Sequence, residues 1–332
     1  MRPKIAIDIG TSYTKIYKAK SDVVLIEPTC IAIQNKNYKT PYAYGQEAYS
    51  LIGKTPESVE IIFPVSNTDI VDNKALVALL SHFIKKVKTP LENIKDALLL
   101  VECGSNRETI KKFENALIGA KVYNVCYAEN PLLALLGVGE EISYETPSAV
   151  IDLGGGQTTV CVLTKAGVIS GASAEIGGNT LNKMIIKHVE QTLNLQISEH
   201  SAEVLKVQLA SLNEDDETKS VVSGKDTLSG KQKVSQISAS QIYPAVKEFI
   251  DKVLNITNVI FSSLAGETIA LLQKGGVYLS GGGVNIYGID EYVSNALGIQ
   301  TKINNEAEIA SIIGAGKLVE SAELLDKLKL QV

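Results

Sequence analysis

Two stretches of this chain share one order of residue types. KIAIDIGTSYTKIYKAK (residues 4–20) and AVIDLGGGQTTVCVLTKAG (residues 149–167) each read as an apolar strand, Ile-Asp, an apolar residue, glycine, hydroxyl-bearing residues and a second β-like run. The interval from Asp8 to Asp152 is 144 residues in a chain of 332, so the repeat has the period of a whole domain. Each half is expected to open with a hairpin-like pair of strands followed by a third. The glycines constrain the fold further. Glycine loses more backbone entropy on folding than any other residue and packs no side chain. Three in succession after a buried strand, at 154–156, mark a place where another group approaches the backbone closely.

Adjacent backbone N–H groups in a turn after a strand form a nest for an anion. Asp8 and Asp152 are too negative to touch a phosphate directly. They make sense if Mg²⁺ and its waters lie between each carboxylate and a nucleotide. Two such turns from two domains would clamp a polyphosphate from both sides. A third glycine turn, SGGG at 280–283, is expected to receive adenosine or its α-phosphate; IGAGK at 313–317 is a fourth glycine site, next to a helix. Any one of these is ordinarily just a tight turn; the ordered set is what is specific. The chain has no G-x-x-x-x-G-K-[ST] loop and no well-placed G-x-G-x-x-G, so the P-loop and Rossmann readings lack their signatures.

Composition narrows the function classes. Net charge is −5 without a basic block, aromatics are 5% and Trp is absent, which disfavours a nucleic-acid surface. Apolar runs such as ALLLV are too short to span a bilayer. MRPKIAIDIG runs straight into a strand, so no secretory signal is expected. Cys30, Cys103, Cys126 and Cys161 form no C-x-x-C and read as small buried hydrophobes of a reducing cytosol. The three histidines share no metal-ligand spacing with them.

Helical spacing of apolar residues predicts helices over 72–87, over NRETIKKFENALIGAK, from PLLALLGVG, over 180–193, over 238–265 as one or two helices, and along the tail from Ala310. ALLLV, 97–101, reads as a buried parallel strand. The polar stretch 212–235 reads as an exposed hairpin around Asp226–Gly230, with a solvated loop as the alternative.

The ordered set IDIGTS, IDLGGGQTT and LSGGG resembles the actin-like ATPase superfamily, which also holds actin, sugar kinases and heat-shock chaperones. Within it the chain looks most like the bacterial actin family of MreB and its relatives, MamK-type actins included, over nearly its full length. VLIEPTCIAI with AYGQEAYSLIGKTPESVEIIFPVSNTDIVDN, and IGGNTLNKMIIKHV, LNLQISEHSAEVLK and GVYLSGGGVNIYGIDEYV, carry that likeness. It implies an α/β actin-like fold: two related domains, each a mixed sheet flanked by helices with a small insertion, and a nucleotide cleft between them. The expected bounds are 1–146 with an insertion at about 31–72, and 147–332 with one at about 181–243.

Carried over by position, the resemblance implies that Gly10, Thr11 and Ser12 hold the terminal phosphates of ATP or ADP from one side. Gly154, Gly155, Gly156 and Gln157 hold them from the other, and Asp8 and Asp152 order Mg²⁺ through water. Gly178, Glu203 and Lys206 border the nucleoside, and Gly281, Gly282 and Gly283 pack against adenosine and its α-phosphate. Without the family, Glu203 and Lys206 read as an i,i+3 surface pair. Two positions depart from the family. Asn130 stands before Pro131, where the family has a Glu that orients the attacking water, and Gln157 replaces the usual Thr. Asn130 cannot act as a base, and Glu129 is the alternative carboxylate. Losing one positioned group costs about 10²–10⁴ in rate, so slow hydrolysis is expected.

The resemblance implies a cytoplasmic protein that polymerises with itself in a nucleotide-dependent way. The alternatives are an adaptor of the same fold that hydrolyses weakly or not at all, and a small-molecule kinase. For the kinase, Asp72 is the one cleft-side carboxylate to name, and it reads equally as a helix cap. A weak contact with the inner membrane surface would rest on Leu91 and Ile94 in VKTPLENIKD, multiplied along a filament.

Overall fold

The computed structural model describes residues 2–67, 69–139 and 142–330. They divide into two units, Met1–Ile142 with Ile309–Val332, and Ser143–Glu308.

The first unit opens with β1 (Ile5–Ile9), β2 (Tyr13–Lys18) and β3 (Asp22–Pro28). An insertion follows: β4 (Ile31–Gln34), β5 (Ala43–Tyr44), α1 (Gly45–Ser50), β6 (Val59–Ile62), and the short pair β7 (Val65–Ser66) and β8 (Asp69–Ile70). The chain then adds α2 (Asn73–Val87), β9 (Asp96–Val101), α3 (Arg107–Gly119), β10 (Asn124–Glu129) and α4 (Asn130–Gly137). The main sheet runs β10-β9-β1-β2-β3, with β9 parallel to both β1 and β10, and β2 antiparallel to its neighbours. Helix α2 starts where the Asp72 carboxylate accepts the Ala75 N–H at 2.9 Å, and the Tyr38 hydroxyl donates to its other oxygen at 2.8 Å. Asp72 is therefore a helix cap, and the kinase reading loses its one named carboxylate.

The second unit repeats this plan. Its strands β11 (Ser148–Leu153), β12 (Thr158–Thr164) and β13 (Gly167–Ala174) lead into α5 (Gly178–Leu193), β14 (Leu195–Gln196) and α6 (Glu199–Leu209). Then come β15 (Lys219–Asp226), β16 (Gln232–Ser238), α7 (Ala239–Ser262), α8 (Gly266–Gly275), β17 (Val277–Ser280), α9 (Ile289–Leu297) and β18 (Thr301–Ile303). The sheet order β13-β12-β11-β17-β18 matches the first unit strand for strand, with the same parallel and antiparallel pairs. The 144-residue interval holds at the level of pairing: Asp8 faces Lys15 and Ile9 faces Thr14, while Asp152 faces Thr159 and Leu153 faces Thr158. The repeat read in the sequence is a repeat of topology. The polar stretch is the β15–β16 hairpin, as its alternation indicated. Residues 239–262 form one helix despite Pro244, which costs one N–H···O bond near its start; α8 carried no clear signal.

The chain ends with α10 (Ala310–Glu320) and α11 (Ala322–Leu328), which belong to the first unit. The sequence reading had placed all of 147–332 in the second. Packing supplies the reason. One face of the first sheet packs Ile5, Ile7, Leu99 and Val101 with residues of α2 and α3. The other face carries Ala6, Leu98, Leu100 and Ala128, and these pack with Leu133 of α4 and Ile312, Ala315, Leu318 and Val319 of α10. A sheet with two apolar faces needs helices on both. Within IGAGK, Gly316 makes room for the Tyr17 ring of β2 and Gly314 for α4. A β-carbon on Gly314 would overlap the Leu133 carbonyl, and one on Gly137 the Ala310 carbonyl, so backbones touch where α4 and α10 cross.

The 88–95 loop departs from expectation. Ile94 is 3% exposed and belongs to the core, so of the two apolar candidates only Leu91 faces solvent. Leu91 adopts φ +69°, which leucine avoids in open chain. The loop is pinned by Glu92, whose carboxylate accepts from Lys18 Nζ at 2.7 Å and from the Thr89 N–H and hydroxyl at 2.9 and 3.0 Å. The Lys18 hydrogen bond, with the Thr89 N–H behind it, lowers the Glu92 carboxyl from 4.5 to about 2. A depressed carboxyl stabilises the fold above its unfolded value and ceases to as it protonates. Protection of the Thr89 amide from hydrogen exchange is expected to fall as pH drops from 4.5 towards 2, and Glu92→Gln to abolish that pH dependence.

Candidate functional site

The two strand–glycine turns are built alike. Gly10 N–H donates to the Tyr13 carbonyl at 3.1 Å, and Gly154 N–H donates to the Gln157 carbonyl at 2.9 Å. A β-carbon would lie 2.8 Å from that carbonyl oxygen at Gly10 and 2.9 Å at Gly154, so both turns demand glycine. Around the first turn, the Thr11 hydroxyl donates to the Asn67 carbonyl at 2.7 Å, and Asp8 pairs with Lys15 Nζ at 3.2 Å. The sequence reading missed Lys15. Its signal was the hairpin register, which sets it directly across from Asp8.

Three parallel strands of the first unit end in a row. Val101 pairs with Glu129, and Ile7 with Leu99, two residues before each strand ends. Gly10, Glu102 and Asn130 are therefore the first residues beyond β1, β9 and β10. Ligands of open α/β sheets sit outside the carboxyl ends of the strands. Asn130 is 5% exposed and donates through Nδ2 to Glu102 Oε1 at 2.6 Å. Asn130 Oδ1 has no hydrogen-bond partner among the described residues. The Glu129 carboxyl is half-buried; burial raises its pKa, opposed by the Gly104 N–H. Glu102 also escaped the sequence reading, although an acidic residue directly after a buried parallel strand was the available clue.

In the second unit, the glycine turn is stitched to the start of α5. Gly178 N–H donates to the Gly154 carbonyl at 3.0 Å, and Asn179 N–H to the Gly155 carbonyl at 2.8 Å. Gln157 is buried. Glu203 and Lys206 form the i,i+3 pair at 2.7 Å, but they do not stop at the surface of α6. Asn182 Nδ2 also donates to Glu203, at 2.7 Å, and Lys206 Nζ reaches the Gly178 carbonyl at 3.4 Å. The structure thus ties Glu203 and Lys206 to Asn182 of α5 and to Gly178 at the edge of the glycine turn. The third glycine turn touches the strand end bearing Asp152. Gly281 has φ +83°, and a β-carbon there would lie 2.5 Å from the Leu153 carbonyl oxygen and 2.8 Å from Asp152 Oδ1. Packing of this kind also fixes Gly283 against Leu153, while a β-carbon on Gly282 would meet only Glu308 Oε1, at 3.9 Å.

Magnesium fits these residues in one way. Among the described residues no cluster of three or more acids, histidines or cysteines could hold a metal. Mg²⁺ ordinarily keeps several waters and uses one or two carboxylates plus substrate phosphates. Asp8 in the first unit and Asp152 in the second each stand at a strand end beside a glycine turn, and either carboxylate suits a cation that keeps its waters. Of the cysteines, Cys30 and Cys161 are buried, whereas Cys103 and Cys126 are only partly so. No helix among the described residues is long and apolar enough to cross a membrane.

Known proteins share this architecture. The cell shape-determining protein Mbl of Bacillus subtilis (strain 168) is 26% identical over 336 residues, covering 98% of each chain. MreB of Escherichia coli (strain K12) is 27% identical over 326 residues, 96% of this chain and 94% of that one. The crystal structure of MreB5 of Spiroplasma citri bound to AMPPNP matches with a TM-score of 0.90 at 26% identity, over 98% of both chains. The MamK double helical filament matches with a TM-score of 0.79 at 17% identity over 96% of this chain and 98% of that one, a likeness of fold alone. The actin-like fold is thereby established, and the MreB/Mbl protein family model runs through residues 2–327, strand–glycine turns included. This chain belongs to the MreB/Mbl family.

Proposed function

We propose that this chain is an ATP-binding, filament-forming protein of the cytoplasm with slow ATP hydrolysis. The observation that carries the reading is the duplicated Asp–Gly turn, set at the same strand end of two sheets of identical topology. It gains support from the relatives: MreB5 of Spiroplasma citri binds AMPPNP and ADP, and MamK forms a double helical filament. In this reading the Gly10–Ser12 and Gly154–Gln157 turns offer backbone N–H groups to the terminal phosphates. Asp8 and Asp152 hold the water shell of Mg²⁺, which neutralises phosphate charge. Glu203 and Lys206, fixed by Asn182 and Gly178, border the nucleoside, and Gly281, Gly282 and Gly283 pack against adenosine and its α-phosphate. Asn130 in place of a carboxylate slows hydrolysis and favours the weakly hydrolysing adaptor as the second reading. Within the 88–95 loop, any attachment to the inner membrane surface would rest on Leu91, and so on many copies in a filament.

Sedimentation and electron microscopy of the purified protein, with ATP–Mg²⁺, with ADP–Mg²⁺ and without nucleotide, test this. Filaments are expected with ATP–Mg²⁺ and are expected to be lost without nucleotide. A protein that binds ATP yet never sediments would overturn the filament reading and leave the adaptor.

A further inference from the structure

Asn130 raises a chemical problem: an amide cannot take a proton from water. The residues beside it suggest how the chain manages. Asn130 is 5% exposed, and its amide is oriented by Glu102 at 2.6 Å. An ionised carboxylate only accepts hydrogen bonds, so the amide turns its NH₂ to Glu102. That leaves Oδ1 buried without a partner among the described residues. A buried carbonyl oxygen left unsatisfied forfeits the hydrogen bond it would make to water. Its natural partner is a small donor. In the second unit the register places Gly282 where the first has Glu102, three residues past the paired leucine of β17 as Glu102 is of β9, so no side chain stands at the equivalent point. The pair also sits one and two strands from Gly10, at the same sheet end as the first glycine turn.

We propose that Glu102 and Asn130 together form the water clamp for ATP hydrolysis, the carboxylate and the orienting oxygen being divided between two residues. This rests on the ATP-binding reading above. One O–H of the attacking water donates to Asn130 Oδ1, and the other to the Glu102 carboxylate. The water oxygen bonds to the γ-phosphorus as the bond from that phosphorus to the β,γ-bridging oxygen breaks. The electron pair leaves on ADP, and the water proton passes to Glu102 and then to solvent. Glu102 is the base; Asn130 touches the water and fixes its direction.

Phosphate release and ATP binding by the full chain, with Mg²⁺, test the clamp. Glu102→Gln keeps an acceptor for the Asn130 amide, so the melting temperature and ATP affinity are expected to hold. Turnover at saturating ATP is expected to fall about 10²-fold, the scale of a lost general base. The swapped pair Glu102→Gln with Asn130→Glu returns a carboxylate beside an amide and is expected to recover about tenfold or more of that loss. Wild-type turnover in Glu102→Gln overturns the clamp while leaving ATP binding intact. A loss confined to Glu129→Gln assigns the base to Glu129 and also overturns it. A wild-type protein that binds ATP without releasing phosphate overturns it too, whereas failure to bind ATP removes the underlying reading as well.

Discussion

Gly314→Ala is expected to destabilise the first unit by about 3 kcal/mol, against the direction that helix propensity alone dictates. Replacing glycine by alanine inside a helix normally gains about 1 kcal/mol. At Gly314 the added methyl would overlap the Leu133 carbonyl and crowd the Gly137 N–H at 2.9 Å. Both are backbone groups of α4 and cannot rotate away. Overpacking of a close-packed site costs about 1–3 kcal/mol, and more where backbone must shift. The helices must separate, which loosens Leu133, Ile312, Ala315 and Leu318 over the sheet face of Ala6 and Leu98. The denaturant midpoint of the first-unit transition is the measurement. A midpoint that rises would show that the α4–α10 contact does not hold this face. Alanine at Gly266, which meets nothing within 4 Å at the start of α8, is the control for propensity without a clash.

The same contact marks the limit of what the sequence could reveal. IGAGK read as a fourth glycine site next to a helix, with no group named for it, because glycine signals close approach without naming the approaching group. At Gly154 that group is the turn's own carbonyl; at Gly314 it is another helix. The distinction depends on which distant segment covers the second face of the sheet, and local periodicity carries no record of that. Where the determining contacts are local, the reading succeeded. ALLLV is a strand buried on both faces, so its run is continuous, and the hairpin at 219–238 alternates because one side is solvated. Ile94 and Leu91 lie in one loop with one composition, yet the first is core and the second fully exposed. Glu203 and Lys206 were legible as a pair, but not their tie to Asn182, which enters from α5. The Glu102–Asn130 pair joins residues 28 apart through parallel pairing of β9 and β10, a register no single-strand pattern encodes.

In the ATP-hydrolysing reading proposed above, the two halves of the repeat are expected to contribute unequally to turnover, and the departure lies in what faces each aspartate. Asp8 lies across from Lys15 and pairs with it at 3.2 Å, both side chains being largely buried. Asp152 lies across from Thr159, which brings no charge. A cation already beside a carboxylate competes with hydrated Mg²⁺ for the same oxygens. Asp152→Asn is therefore expected to lower turnover of ATP on the order of 10²–10³-fold, the scale seen when one preorganised electrostatic contact to a transition state is removed. Asp8→Asn is expected to cost about tenfold, ~1.4 kcal/mol, because Lys15 persists beside it. Phosphate release measured across a Mg²⁺ titration separates the cases: Asp152→Asn should raise the Mg²⁺ concentration needed for half-maximal rate more than Asp8→Asn does. Equal losses from the two substitutions would mean that Lys15 leaves Asp8 when nucleotide binds, and that the asymmetry of the two turns has no catalytic consequence.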